Sequence, residues 1–247
     1  MSIEKHSLSR TELVVGKEGL EKLRNSKVIV FGVGGVGSFT VEALTRAGVG
    51  ELILVDNDTV SLTNLNRQIH ATYDTVGKVK VEVMKERIST INKDCNVITK
   101  QVFVTKENIP ELIPDDVDYV VDAIDTVSAK IALVEYCAAK DIKIISSMGT
   151  GNKLDPTMFK ISDIYKTKVC PLAKVMRTEL KKRRIKKLKV LYSEEIPVKP
   201  TLDDMNACKT SEGLSKRQVP GSISFVPPVA GMIIAAEVIK DILGINK

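Results

Sequence analysis

Three glycines, Gly32, Gly34 and Gly37, have the spacing G-x-G-x-x-G within the stretch FGVGGVGS. An apolar run precedes them and a stripe of helical period follows, so they mark a turn between a strand and a helix. Glycine at such a turn lets backbone amides approach an anionic phosphate at the helix N-terminus. Asp56 ends the next apolar run, where a carboxylate can accept hydrogen bonds from ribose hydroxyls. The motif predicts a nucleotide site, but NAD, FAD and ATP are all bound by such turns.

The residues after Asp56, NDTVSLTNLNRQIHA, favour a nucleoside triphosphate over a dinucleotide. Arg67 offers a planar fork to phosphate oxygens, and Asn64 can bond ribose or phosphate. Lys80 lies in the first turn of a predicted helix, where a cation interacts unfavourably with the helix dipole. We therefore expect the Lys80 ammonium to face an anion, the alternative being a solvated side chain. His70 could contact the substrate or simply pack within its loop.

Two acids, Asp122 and Asp125, stand at the end of another buried strand, DYVVDAID. Ligands bind at the carboxyl ends of strands in open α/β sheets, and Mg²⁺ is held by one or two carboxylates together with phosphate oxygens. The pair therefore predicts a Mg²⁺ site with Asp125 as a ligand. Asp122 fits a cap or a loop anchor equally well, and the alternative for Asp125 is a helix N-cap.

Strand and helix patterns alternate along most of the chain, which predicts an α/β fold: a Rossmann-like, doubly wound, mostly parallel sheet. A long polar connection over residues 57–78 is typical of a functional loop. Beyond residue 151 we expect an edge strand, a helix, a further strand, a loop over 194–222 and an apolar final helix. The predicted strands are 27–32, 51–56, 96–104, 119–125, 142–149, 155–164 and 188–193; the predicted helices are 38–47, 79–91, 127–140, 171–184 and 227–243.

We divide the chain into an N-terminal helical segment (1–26), a Rossmann-like nucleotide-binding core (27–151) and a C-terminal extension of the same sheet (152–247). The N-terminus lacks the apolar core of a secretory signal, and no run of eighteen residues is purely apolar, so we expect a cytoplasmic protein without a membrane anchor. The cysteines, Cys95, Cys137, Cys170 and Cys208, form no CxxC pair, which excludes a zinc site of the usual spacing and favours reduced thiols.

The net charge of +6 is modest, but residues 177–189, RTELKKRRIKKLK, carry eight basic side chains and one acidic. Such a block favours a polyanion, with nucleic acid ahead of membrane phosphate; an exposed helix end with a strand is the structural alternative. Aromatic residues that could stack on bases are few, with no Trp, five Phe and five Tyr. The predicted nucleic-acid contacts are Lys181, Lys182, Arg183, Arg184, Lys186, Lys187 and Lys189.

Four motifs together, GVGGVGS, LVDNDTVSLTNLNRQ, VGKVKVEVM and DAIDT, resemble the ubiquitin-activating-enzyme-like superfamily. The resemblance implies an enzyme that activates a carboxylate with ATP, with Arg67, Lys80 and Asp125 as catalytic residues and Asp125 positioning Mg²⁺. It also implies that Arg10 reaches the ATP of a partner subunit in a homodimer. The ATP-binding residues it implies are Gly32, Gly34, Gly35, Gly37, Asp56, Asp58, Asn64, Arg67, Gln68, Lys80, Asp125 and Arg10.

Nearly the whole chain, including NRQIHA, GNKLDPTMFKISDI and PLAKVMRTELKKR, resembles the branch that dehydrates threonylcarbamoyladenosine in tRNA. The resemblance implies adenylation of the threonyl carboxylate, ring closure with release of AMP, and the anticodon arm of tRNA as partner. It is also compatible with a monovalent cation near the site and with a sulfur-transfer protein as a partner. Two alternatives remain: an enzyme that adenylates the C-terminal glycine of a sulfur-carrier protein, and a nucleotide-sensing module without turnover.

Overall fold

The computed structural model describes residues 6–199 and 220–245, which form a seven-stranded sheet in the order β3-β2-β1-β4-β5-β7-β6. All neighbouring strands pair in parallel except β6, which is antiparallel to β7. The strands are β1 (Lys27–Phe31), β2 (Glu51–Val55), β3 (Asn96–Lys100), β4 (Tyr119–Asp122), β5 (Ile144–Ser147), β6 (Phe159–Asp163) and β7 (Lys189–Ser193).

Helices cover both faces of the sheet. Successive residues of a strand point to opposite faces, and in β1 the residues on both faces are apolar and must be buried. Val28 and Val30 pack into the core on one face of the sheet, whereas Ile29 and Phe31 pack into the core on the other face. The helices are α1 (Ser9–Arg24), α2 (Gly37–Ala47), α3 (Lys80–Ile91), α4 (Ile109–Leu112), α5 (Val127–Lys140), α6 (Pro171–Lys182) and α7 (Val226–Leu243). The predicted α/β fold with a doubly wound, mostly parallel sheet is confirmed.

The order of the strands reverses at β1, which lies between β2 and β4. From β1 the chain runs outward through β2 and β3, and then returns to the other side of β1 to form β4. This reversal opens a crevice between the loops that follow β1 and β4, the position where open α/β sheets bind ligands.

All seven strands are shorter than predicted, and β3 and β4 end early for a common reason. β3 ends at Lys100 because its partner β2 ends opposite it at Val55, so the apolar residues of 101–104 continue without a strand to pair with. β4 likewise ends at Asp122, opposite the last residue of β1. The short helix α4 was not predicted, because its four residues are too few to show a period.

The C-terminal part of the chain adds β7 and β6 to the same sheet, and α7 packs against α2 over much of its length. Of the predicted loop over 194–222, residues 194–199 and 220–222 lie outside helices and strands, and the remainder lies outside the described residues. Within the described ranges, no helix is sufficiently long and apolar to cross a bilayer.

Candidate functional site

A cavity of about 600 Å³ opens at the carboxyl ends of the central strands. This volume falls within the usual range of small-molecule sites. Most of the residues predicted to bind the nucleotide line this cavity: Gly32, Gly34, Gly35, Asp56, Asp58, Asn64, Arg67, Gln68, Lys80 and Asp125. Gly37 and Arg10 do not line it. The structure thus brings ten of the predicted side chains and glycines to one site.

The glycine turn depends on close backbone approaches at two positions. Gly32 has a φ of 86°, and a Cβ there would lie 2.7 Å from the Ala123 carbonyl oxygen. A Cβ on Gly37 would lie only 1.8 Å from the Gly32 carbonyl oxygen, so this glycine shapes the turn from outside the cavity. Gly34 differs, since the nearest atom to its Cβ position is Gln68 Nε2 at 3.9 Å. The space beside Gly34 therefore belongs to the cavity.

Asp56 connects the end of β2 to the glycine turn. Its Oδ2 accepts a hydrogen bond from the Val33 amide at 2.6 Å, and its Oδ1 accepts one from the Asp58 amide at 2.9 Å. Burial raises the pKa of Asp56, and the nearby charge of Lys80 partly offsets that rise. Each carboxylate oxygen keeps a lone pair, so the group can still accept from a ribose hydroxyl.

Lys80, the first residue of α3, is only 5% exposed, which excludes the solvated alternative. Its Nζ lies 2.8 Å from Asp58 Oδ2, and the Asp58 side chain is more than half exposed. The pair therefore places a buried cation in the cavity wall, beside an acid that faces solvent.

Arg67 and Gln68 both present unused polar groups to the cavity. Arg67 Nη1 donates to the Thr63 carbonyl at 2.9 Å and to Asn66 Oδ1 at 2.8 Å, and burial lowers the pKa of Arg67. Gln68 is 6% exposed, and its Oε1 has no partner among the described residues. Asn64 differs, because its Oδ1 accepts from the Ser61 amide and shapes the loop itself.

The two acids after β4 have different roles. Asp125 is exposed in the cavity, and its carboxylate accepts from Thr126 Oγ1 at 3.3 Å. Thr126, not Asp125, is the N-cap of α5, so the N-cap alternative for Asp125 is wrong. Asp122 is fully buried and paired with Lys130, and the Mg²⁺ role suggested for it is therefore also wrong. Asp122 is a loop anchor.

Several residues singled out in the sequence lie away from the cavity. Arg10 is exposed on α1, and the His70 ring is 3% exposed, with no hydrogen-bond partner for either nitrogen among the described residues. Burial, with the charges of Lys80 and Arg87, lowers the pKa of His70 to about 4. The His70 ring does not line the cavity, which favours loop packing over substrate contact.

The cysteines whose structure is described are free thiols. Burial raises the pKa of Cys95 to about 11 and that of Cys137 to about 12. Cys137 is fully buried, and Cys170 is 2% exposed within the core beneath α6. Cys208 lies outside the described residues. These thiols are shielded from solvent or held in the protonated form.

The basic stretch forms the end of α6 and the turn into β7. Lys182 and Arg183 each pair with Glu179 at 2.7 Å. Lys189 is bound by Glu237 and Asp241 of α7, at 2.9 and 2.6 Å, which favours a structural role over the predicted nucleic-acid contact. Four basic side chains are exposed and make no ion pair with the described acids: Lys181, Arg184, Lys186 and Lys187.

The cavity continues past Asp125 into a region that the sequence did not assign to the site. Small residues of 149–151 form one wall of this region, and Gly221 with Ser222 forms another. Asn152 joins the two walls, because its Oδ1 accepts from the Gly221 amide at 2.6 Å and its own amide donates to the Gly221 carbonyl at 2.8 Å. The available signal was the stretch MGTG directly after β5, since small residues at a strand end leave room for a ligand.

The model of the ThiF family matches residues 8–247 of the sequence, which carry the glycine turn, Arg67, Lys80 and Asp125 described above. The chain belongs to the ThiF family. This family assignment covers both the nucleotide cavity and the C-terminal strands and helix.

Several relatives of the chain carry the name of one enzyme. The chain is 49% identical to the tRNA threonylcarbamoyladenosine dehydratase of Bacillus subtilis, over 96% of this chain and 95% of that protein. Its structure resembles that of the E. coli tRNA N6-threonylcarbamoyladenosine dehydratase in complex with ATP, with a TM-score of 0.85, 33% identity and coverage of 96% and 94% of the two chains. The AMP complex of the same enzyme gives a TM-score of 0.85 at 32% identity, covering 99% and 98%.

Proposed function

We propose that this protein is an ATP-dependent dehydratase that adenylates the threonyl carboxylate of N6-threonylcarbamoyladenosine in tRNA and promotes its cyclisation. The observation that carries the proposal is the cavity that unites the glycine turn with Arg67, Lys80 and Asp125. The dehydratase name shared by relatives that match the chain nearly end to end supports the choice of substrate.

Within the cavity, each group has a role that its chemistry suits. The glycine turn accommodates the phosphates of ATP, and Asp56 accepts from the ribose. Arg67 and Lys80 supply cationic donors to the phosphate oxygens as charge shifts toward the departing pyrophosphate. Preorganised donors of this kind need no rearrangement at the moment of reaction, since Arg67 is already held by Thr63 and Asn66.

The donor set fits Mg²⁺ bound mainly through phosphate oxygens. No group of three or more His, Cys, Asp or Glu side chains in the described residues could hold a metal by itself. Asp125 is exposed at the cavity, and one carboxylate with phosphate oxygens and water is an ordinary Mg²⁺ environment. When bound, the ion would neutralise phosphate charge, and Asp125 would hold it beside the reacting carboxylate.

The proposed reaction has two steps, and both balance without an oxidant or reductant. An oxygen of the threonyl carboxylate attacks the α-phosphorus, and the bond to the bridging oxygen of pyrophosphate breaks. A nucleophile within the same modification then attacks the acyl carbon, loses its proton to solvent and expels AMP. Proximity replaces an enzyme nucleophile in the second step. The modified base loses one water, driven by conversion of ATP to AMP and pyrophosphate.

We infer that the exposed basic residues at the end of α6 contact the backbone of the anticodon arm. Lys181, Arg184, Lys186 and Lys187 present charges that no described acid neutralises, which suits a phosphate backbone. Lys182 and Arg183 share Glu179 and so offer weaker contacts. A tRNA substrate is consistent with action in the cytoplasm.

We infer a homodimer from the position of Arg10. This side chain does not line the cavity of its own chain, so a role in ATP binding requires a second copy to bring it there. The monovalent cation, the sulfur-transfer partner and the division of the chain at residues 26 and 151 stay predictions.

An enzyme that activates a sulfur-carrier protein usually passes the activated tail to one of its own cysteines, a thiol relay, and the buried position of Cys170 disfavours that alternative. We expect Cys170→Ala to keep most of its turnover, at a cost of about 1 kcal/mol in stability for the lost sulfur contacts. A folded Cys170→Ala variant that binds ATP normally but shows no turnover would support the thiol relay.

The experiment that tests the proposal measures pyrophosphate released from ATP with three substrates: tRNA bearing threonylcarbamoyladenosine, the unmodified transcript, and a small protein ending in two glycines. We expect release only with the modified tRNA. Equal release with either of the other two would overturn the proposal, and no release with any would favour a nucleotide-sensing module.

A further inference from the structure

A fully buried ion pair lies directly beneath the loop that carries Asp125. Asp122, the last residue of β4, and Lys130, in the second turn of α5, are both 0% exposed, and Lys130 Nζ lies 3.0 Å from Asp122 Oδ1. Ser146 Oγ of the adjacent strand β5 donates to Asp122 Oδ2 at 2.5 Å. Burying two charges is costly unless their hydrogen bonds are satisfied, so an arrangement this complete raises the question of what it holds.

The second hydrogen bond of Lys130 leads to the catalytic loop. Its Nζ donates to the Ile124 carbonyl at 3.0 Å, and the Ile124 peptide group is joined directly to Asp125. The Ile124 amide in turn donates to Asp122 Oδ1 at 3.2 Å. One ammonium group therefore fixes both ends of the short segment 122–124, immediately before the exposed carboxylate of Asp125.

The glycine turn fixes the other side of the same segment. The Ala123 amide donates to the Phe31 carbonyl at 2.8 Å, and the Ala123 carbonyl oxygen packs so close to Gly32 that a Cβ there would lie only 2.7 Å from it. The loop is thus held between the phosphate-binding turn on one side and Lys130 on the other. α5 provides no substitute for this restraint, because its N-cap Thr126 makes no side-chain capping bond.

We propose that Lys130 is a positioning residue that sets the location of Asp125 relative to the phosphate-binding glycine turn. The proposal rests on the proposed function in one respect, namely that Asp125 acts on the nucleotide or the reacting carboxylate. Lys130 itself does not line the cavity and touches no substrate. Its ammonium acts through the Ile124 carbonyl.

The first variant to consider, Lys130→Met, leaves the Asp122 carboxylate buried without a counter-charge and is expected to fold poorly. The double variant Lys130→Met/Asp122→Asn removes both charges and keeps an amide that can bond Ser146 and the Ile124 amide. Lys130→Arg, the conservative control, keeps the charge and can donate to both Asp122 and the Ile124 carbonyl.

Three measurements on the full-length variants test the proposal: amide hydrogen exchange across residues 122–127, affinity for a non-hydrolysable ATP analogue, and kcat for pyrophosphate release. For the double variant we expect faster exchange confined to this loop, unchanged analogue affinity, and a kcat lower by about 10²-fold, the usual cost of a misplaced catalytic group. Lys130→Arg should keep both the slow exchange of this loop and the kcat of the wild type.

Two results would overturn the proposal. Exchange in the loop as slow as in the wild type would show that Lys130 does not hold it. A kcat that falls only in parallel with analogue affinity and thermal stability would show a general structural role. Should the wild type itself release no pyrophosphate with the modified tRNA, the proposed function fails, while the exchange measurement still tests Lys130 independently.

Discussion

The ammonium nitrogen of Lys80 lies 2.8 Å from Oδ2 of Asp58, where the first turn of α3 meets the loop after β2. The lysine side chain is 6% exposed and the aspartate side chain 57% exposed. The acid thus keeps a buried cation in the cavity wall while remaining open to solvent itself. A triphosphate entering the cavity can compete for that cation without having to displace a buried partner.

Replacing Lys80 should therefore impair the reaction far more than replacing its exposed neighbour Lys78. We expect Lys80→Gln to lower kcat for pyrophosphate release by about 10²–10³-fold, the usual loss when one preorganised donor is removed. Lys78→Gln makes the same charge change outside the cavity and should behave as the wild type. Steady-state kinetics of both variants check this, and equal losses would refute a specific role for Lys80.

Replacing Gly34 with alanine should weaken nucleotide binding while leaving folding unchanged. The backbone there is not left-handed and the nearest atom to a Cβ is 3.9 Å away, so Gly34→Ala should fold normally. The new methyl would stand between the turn and the phosphates, and the loss of a charge-assisted hydrogen bond should weaken ATP binding by about 10–100-fold.

The control for that variant is Gly37→Ala, whose Cβ would lie 1.8 Å from the Gly32 carbonyl oxygen. This change should lower the thermal unfolding midpoint sharply. Calorimetric titration with an ATP analogue, together with thermal unfolding, distinguishes the two glycines. Normal ATP affinity in Gly34→Ala would mean that the phosphates do not approach the turn at this residue.

The buried ring of His70 should make the protein less stable in mild acid. Its pKa is lowered from 6.5 to about 4, so as pH falls below 6.5 the unfolded chain takes up a proton that the folded chain does not. The stability is fully present above pH 6.5 and declines toward pH 4, by at most about 3 kcal/mol.

His70→Leu should reduce this acid sensitivity without loss of stability at neutral pH, because the ring makes no hydrogen bond that leucine would forfeit among the described residues. Urea unfolding of both proteins between pH 4 and pH 7.5 provides the comparison. The same slope in the variant and the wild type would assign the acid sensitivity to other groups.

The exposed lysines after α6 should determine the salt dependence of tRNA binding. We expect Lys186→Gln/Lys187→Gln to weaken binding and to lower the slope of log K against log salt by about 1 per lost phosphate contact. Lys17→Gln/Lys22→Gln on α1 removes the same charge from another exposed helix and serves as the control. An unchanged slope in the first variant, or an equal change in both, would leave the basic stretch as a solvated surface.

The sequence predicted most of the sheet, because buried parallel strands and amphipathic helices carry their own periods. The helix Val127–Lys140 agrees with the prediction at both ends. β3 was predicted too long because its end is set by its neighbour. Lys100 pairs with Val55, the last residue of β2, and the local sequence around neither residue shows this pairing.

Residues of the candidate site could be predicted where the residue type and its place in a local motif are enough to indicate the cavity, as for the glycine turn, Arg67 and Lys80. They could not be predicted where a side chain depends on a distant partner. The burial of Asp122 against Lys130 and Ser146, and the capture of Lys189 by Glu237 and Asp241, arise from tertiary packing between separate elements. The wall held by Asn152 likewise joins residues far apart in the chain.

The most direct test of the account is the mass of the modified nucleoside after the reaction. Purified protein is incubated with ATP and tRNA bearing threonylcarbamoyladenosine, the tRNA is digested, and the nucleosides are analysed by mass spectrometry, with Arg67→Ala as the inactive control. The account predicts a nucleoside lighter by one water, formed together with AMP, by the wild type alone. An unchanged nucleoside mass despite consumption of ATP, or the same water loss without ATP, would contradict it.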